Sequence, residues 1–470
     1  MQASAPDVSP YLLDSFAPIE DERVADELPV IGEVPRDLHG MFVRNGPNAR
    51  FAPRGRYHWF DGDGMLHAVQ IRDGKVSYRN RWVRTEHLAA EETAGHALWS
   101  GLMESTRDNP KGAPYKDTAN TDVVFHRDSL LASWYISGRP YRVDAETLET
   151  RGADDFGTGE PLRISAHAKV DPATGELFFF DYGPRPPFLR YGVVDATGRL
   201  VHRLDLDVPG PRLPHDMAIT ERFAILMDLP VTFTPEALQA RRWSVGFYPE
   251  LPARFAIVPR RGGAAPRWFE AEPCYIYHTI NAWEEGDEVV LTACRVADPI
   301  PPVDPADGPW GRMMANLRIQ ATLHRWRFNL VTGQTREERL DDRISEFPTI
   351  APHMRTKRSR WSYNVTFAPT PTVRFDGLLK YDIDTGASER YAFGPGRFGS
   401  ESPFAPRLGA TAEDDGYVLS FVDDQREGTA ELVILRAQRF ADGPVARVRL
   451  PQRIPLGFHG TWVSGAQLGW

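Results

Sequence analysis

Five times along the chain, a short apolar run ends in an Asp or Asn that opens a small turn, and a second strand-like run follows. The turns start at Asp144, Asp171, Asp195, Asn329 and Asp382, and four of them close on Thr-Gly pairs ending at Gly175, Gly198, Gly333 and Gly386. A short Asx side chain can accept from backbone amides just ahead of it, and Gly supplies positive φ, so each reads as a hairpin. Hairpins spread over most of the chain, with few helices between them, imply small antiparallel sheets repeated around an axis. The expected fold class is all-β, a β-propeller. Blades of about 40–60 residues would make about seven or eight of them.

Another hairpin runs from Cys274 to Cys294 and turns at Glu285, Gly286 and Asp287. Its arms carry the chain's only two cysteines, placed where they could face each other. No apolar core run follows the acidic start Met1–Glu22, so no export signal is visible, and reduced thiols in a cytoplasmic protein are expected. No stretch reaches the roughly 18 apolar residues of a spanning helix. A net charge of −9 argues against a nucleic-acid surface but not against a small neutral substrate.

Residues 1–29, Pro-rich and acidic, are expected to form an N-terminal arm, and 30–470 a single propeller domain. Thr85 to Glu104 reads as the best helix of the first half, rich in Ala, Glu and Leu. A second helix should start at Thr234 and Pro235, cap and first-turn residue, within an excursion carrying Trp243, Phe247 and Tyr248. That excursion could pack as a lid, cover a substrate mouth or make peripheral contact with a membrane.

Familiar catalytic motifs are missing: no Cys-x-x-Cys, His-Glu-x-x-His, Gly-x-Ser-x-Gly or phosphate loop. Of thirteen histidines, nine sit beside charges or in evident loops and strands and read as structural. The other four, His167, His215, His278 and His459, follow apolar or small residues at the ends of expected strands. Inner strands of different blades all point at the axis, so these rings could converge. Four neutral imidazoles suit Fe, Zn, Cu or Ni without choosing among them.

Several segments carry a specific resemblance. They include Gly40–Pro47, Phe60–Met65, Asp117–Thr121, Ser165–His167, Leu213–Asp216, His278–Gly286, Ser345–Pro348 and Phe458–Gly460. Their sequences and order resemble the carotenoid cleavage oxygenases, a family that also holds lignostilbene dioxygenases and isoeugenol-type monooxygenases. The resemblance runs from about Val30 to the C-terminus.

The resemblance implies a seven-bladed β-propeller with a loop-and-helix dome over a non-haem Fe(II). His167, His215, His278 and His459 are the implied ligands. Glu346 and Glu401 match carboxylates that hydrogen-bond such rings, expected to partner His278 and His459. The third carboxylate of the pattern is not in place: counting from Thr121 lands on Tyr135 and counting back from Gly138 on Ile136, neither an acid, leaving His215 to a tyrosine hydroxyl, a carbonyl or water. Thr121 matches the threonine that crowds one open iron position.

Trp134 and Tyr135 stand where stilbene-cleaving members carry a Lys-Glu pair. Trp59 and Trp134 are therefore expected to line a cavity suited to an apolar polyene. The implied activity is O2-dependent cleavage of a carotenoid or apocarotenoid C=C bond to aldehyde or ketone products. The alternatives are cleavage of a stilbene or phenylpropene side chain and an inactive propeller that binds apolar ligands.

Overall fold

The computed structural model describes residues 8–470. Seven antiparallel sheets of four or more strands surround one axis, as a seven-bladed β-propeller. The ring is closed across the termini. The strand Gly460–Ser464 pairs with Gly40–Pro47, and Gly64–Arg72 and Lys75–Trp82 complete blade one. Blades two to seven follow over residues 122–153, 169–206, 218–271, 275–339, 346–392 and 397–449. Each blade is a separate sheet whose innermost strand is an edge, protected at the axis by its neighbours.

The arm is woven into this ring. Val24–Ala25 pairs with Tyr78 and Arg79 at the outer edge of blade one, and Val30–Gly32 adds a strand to blade seven. Tyr11 is fully buried and stacks on Trp59 at 5.4 Å. The first seven residues of the expected arm lie outside the described residues.

The recurring turns work as their residue types require. Asp144 Oδ1 accepts from Glu146 and Thr147, Asp195 Oδ1 from Thr197 and Arg199, and Asn329 Oδ1 from Val331 and Thr332. A sixth copy, at Asp424, lacks Thr-Gly but closes on Gly428 at φ +64°.

Two expectations change. The helix spans Glu86–Ala94, not Thr85 to Glu104: Thr85 caps its start and Gly95, at φ +75°, ends it. Past Gly95 the amides of Leu98 and Trp99 turn back onto the Glu91 carboxylate, so the chain leaves the helix axis. The cysteines do not face each other, because Tyr275 pairs with Val296 and Cys274 lies beyond that end of the ladder. Both thiols are free and buried, and burial pushes Cys274 up to about 12.

The second helix, Pro235–Ala240, is capped by Thr234 as expected. Trp243 of the excursion packs inward, meeting Phe233 at 4.8 Å and Tyr135 at 5.9 Å, both edge-on, while Leu238 on the helix stays exposed. Among the described residues no helix is long and apolar enough to cross a membrane.

Candidate metal centre

In each blade the inner strand starts from the same rim of the ring, so the residues at those starts gather on the axis. One residue of the constellation comes from every blade. Thr121 immediately precedes Asp122–His126, His167 precedes Lys169–Val170, and His215 precedes Ala218–Ile219. His278 sits in Tyr275–Glu285 at a break in register between Ile276 and Thr279, where a bulge re-aims a side chain. Glu346 opens Glu346–Thr349, Glu401 precedes Phe404–Pro406, and His459 precedes the closing strand Gly460–Ser464.

The four imidazoles meet. The His167 ring centroid lies 4.8 Å from His215, 5.0 Å from His278 and 4.5 Å from His459. His278 and His459 are 4.7 Å apart, and His215 and His278 5.2 Å. Ring nitrogens of His167, His278 and His459 all fall within 4.8 Å of one another, and His215 flanks this trio. Nε2 of His167 and of His278 are buried without a hydrogen-bond partner. Unsatisfied buried nitrogens converging from separate blades are costly unless something binds them, and a transition metal suits such a donor set.

Electrostatics agree for three rings. Burial, with the other imidazoles close by, holds His167 and His215 well below the usual range, and burial does the same for His278. These rings stay neutral, the form that ligates metal. His459 differs: burial lowers it, but the charge and hydrogen bond of Glu401 outweigh that and raise it.

Two rings are held from behind. His278 Nδ1 is hydrogen-bonded to Glu346 Oε2, and His459 Nδ1 to Glu401 Oε1 at 2.9 Å. Such a bond fixes the tautomer and turns Nε2 inward. Glu401 Oε2 also accepts from the Gly460 amide at 2.7 Å, tying ring and backbone together. Burial pushes the Glu346 carboxyl up to about 8.

The other two rings have no carboxylate on them among the described residues. His167 is instead placed by backbone: φ +70° is strained for a non-glycine residue, and its amide donates to Asp122 Oδ2 at 2.9 Å. Tyr135 meets His215 ring to ring at 5.6 Å, and no hydrogen bond joins its hydroxyl to that imidazole among the described residues. Tyr277 meets the same ring edge-on at 5.2 Å.

A cavity of about 480 Å³ opens beside the imidazoles. His215, His278 and His459 form one side, and Trp59, Phe60, Leu317, Phe347, Val373 and Phe458 line much of the rest. Thr121 borders it too; its hydroxyl donates to Asn120 Oδ1 and accepts from the Tyr135 amide, leaving the methyl as its free group. Trp134 is not on this wall. Adjacent side chains diverge, so Tyr135 lines the imidazole cavity while Trp134 lines a neighbouring one of about 560 Å³ with Arg56, Asp61 and Lys116. Phe60 borders both cavities.

Sequence reasoning missed Asp122, Asp216 and Lys169, which lie just after site residues, and the cavity aromatics Phe60, Tyr277 and Phe458. A signal for the acids exists: Thr121 and His215 are each followed directly by Asp at the same inner-strand position.

The family described as retinal pigment epithelial membrane protein matches residues 16–464. A carotenoid 9,10(9′,10′)-cleavage dioxygenase of Arabidopsis thaliana is 37% identical over 97% of this chain and 90% of its own. The crystal structure of a lignostilbene dioxygenase from Pseudomonas brassicacearum superposes with a TM-score of 0.88 at 30% identity, covering 98% of this chain and all of the other. That of a cobalt-substituted oxygenase from Synechocystis gives 0.84 at 29% identity over 95% and 97%.

Proposed function

The chain belongs to the family of the retinal pigment epithelial membrane protein and the carotenoid cleavage oxygenases, and from that premise we propose that it is a non-haem Fe(II) oxygenase. Its reaction is O2-dependent cleavage of one C=C bond of a carotenoid or apocarotenoid to aldehyde or ketone products. The observation that carries this reading is an apolar, aromatic-walled cavity with imidazoles forming one side.

Each residue has a share. His167, His215, His278 and His459 would hold the ion, and Glu346 and Glu401 aim two of the rings. Fe(II) in that cage supplies the activation that lets O2 react with a closed-shell alkene. The Thr121 methyl limits water at the cage, and Trp59, Phe60, Phe347 and Phe458 bind the polyene by burial and keep one double bond beside the imidazoles. The balance closes without a reductant: one C=C and one O2 become two C=O groups. No proton moves, so no acid or base is required.

A second reading, cleavage of a stilbene or phenylpropene side chain, is favoured by the hydroxyl-bearing rings of Tyr135 and Tyr277 on the wall, which could meet a phenol. Against it, no lysine or arginine is among the lining residues.

The test is aerobic incubation of iron-loaded protein with polyenes and hydroxystilbenes, products read by mass. Paired carbonyl fragments from a polyene are expected. Aromatic aldehydes alone would transfer the assignment to the second reading, and binding without products would make the chain an apolar-ligand propeller.

A further inference from the structure

His215 presents a problem of aim. The rings of His278 and His459 are pinned by carboxylates, but nothing comparable holds the ring of His215 among the described residues. Its immediate neighbour is held more firmly than any other acid in the site. Asp216, 2% exposed, receives Lys169 Nζ and the Met217 amide on Oδ1, at 2.6 and 2.7 Å. Oδ2 receives the Thr279 amide and hydroxyl, at 2.7 and 2.8 Å.

The four donors come from three consecutive blades. Lys169 lies two residues past His167, Asp216 one past His215, and Thr279 one past His278. One buried carboxylate thus staples together the strand starts that carry three of the four imidazoles. We propose that Lys169, Asp216 and Thr279 are positioning residues that set His215, fixing through the backbone the point from which its ring starts, where Glu346 and Glu401 hold ring nitrogens directly. Tyr135 and Tyr277 then pack against the ring, at 5.6 and 5.2 Å between centroids. The inference rests on the reading of the four imidazoles as a metal cage.

Charge and geometry make opposite forecasts for Lys169, and this makes the proposal testable. If Lys169 acts only through its charge, Lys169→Met removes a partly buried cation beside a dication and must tighten metal binding. If it positions Asp216, the same change loosens the cage and weakens binding. The experiment measures Co(II) affinity of the full chain by chelator competition, with the visible bands of the bound ion and the thermal midpoint recorded alongside.

For Lys169→Met we expect affinity to fall about tenfold, the low end for groups that orient metal ligands, with shifted Co(II) bands. Lys169→Arg should recover most of the loss. Unchanged or tighter binding in Lys169→Met overturns the proposal. Thr279→Val carries no charge change and keeps the test alive if the lysine variant does not fold. Its expected loss is about threefold, from one hydrogen bond, and wild-type affinity with wild-type bands would count against the clamp. A wild-type chain that binds no Co(II) would sink the cage reading itself, and the clamp with it.

Discussion

Blades five and one aim their histidines differently from blades three and four. His278 and His459 each back onto a carboxylate delivered by the neighbouring blade, Glu346 and Glu401. His167 and His215 have no such acid on the ring among the described residues. One spends backbone strain at φ +70° and an amide bond to Asp122; the other follows a clamped Asp216. A ring held at its far nitrogen has both tautomer and rotation fixed, whereas a ring held through its backbone has only its origin fixed. The first pair should therefore define the cage, and the second pair should be its adjustable side.

The largest effect expected from that difference is at His278, whose ring adjoins His167, His215 and His459. His278→Ala should abolish stoichiometric metal, read by elemental analysis, together with all turnover. Normal activity in this variant would end the metal assignment. Next come Glu346→Gln and Glu401→Gln, which keep the shape but weaken the acceptor behind each ring. A loss of about 10- to 100-fold in metal affinity is expected for both. Asp122→Asn, which touches His167 only through its amide, should cost less, and an equal loss would erase the distinction between the two pairs.

That distinction was only half legible in the sequence. Hairpin turns could be read because an Asx side chain and a following glycine act within five residues. The four histidines stood out because each borders an expected strand, and Glu346 and Glu401 came with a resemblance to known sequences. The clamp could not be read, since Lys169, Asp216 and Thr279 are brought together only by the order of blades around the axis. Gly95 was within reach: the helix ends just before it, ten residues short of the expected Glu104, and a glycine that closes a helical run is a stop signal. Trp134 misled because adjacency to Tyr135 says nothing about which cavity a side chain faces.

The comparison also predicts a gain. Tyr135 lines the cavity against the uncarboxylated ring of His215, 5.6 Å between centroids. Tyr135→Glu would place an acceptor where blades five and one already have one. The expected outcome is a folded protein that holds metal severalfold more tightly, measured by the same chelator competition. Weaker binding would mean that Tyr135 serves His215 by packing alone.

A last pair of variants should separate the two tryptophans through KM alone. Trp59 lies on the imidazole cavity, stacked on Tyr11 at 5.4 Å and tilted against Phe458 at 4.5 Å, where it would touch a polyene held there. Trp134 faces the neighbouring cavity, with Phe60 between it and the imidazoles. Phenylalanine at either position keeps an apolar ring but removes contact area, which matters only where substrate lies against it. Trp59→Phe should raise KM for a cleaved polyene about tenfold, the scale of a lost apolar contact in a pocket. Trp134→Phe should leave it within about twofold, because Phe60 still closes the wall. If Trp134→Phe changes KM as much as Trp59→Phe, the polyene passes Phe60 and the two cavities act as one binding site.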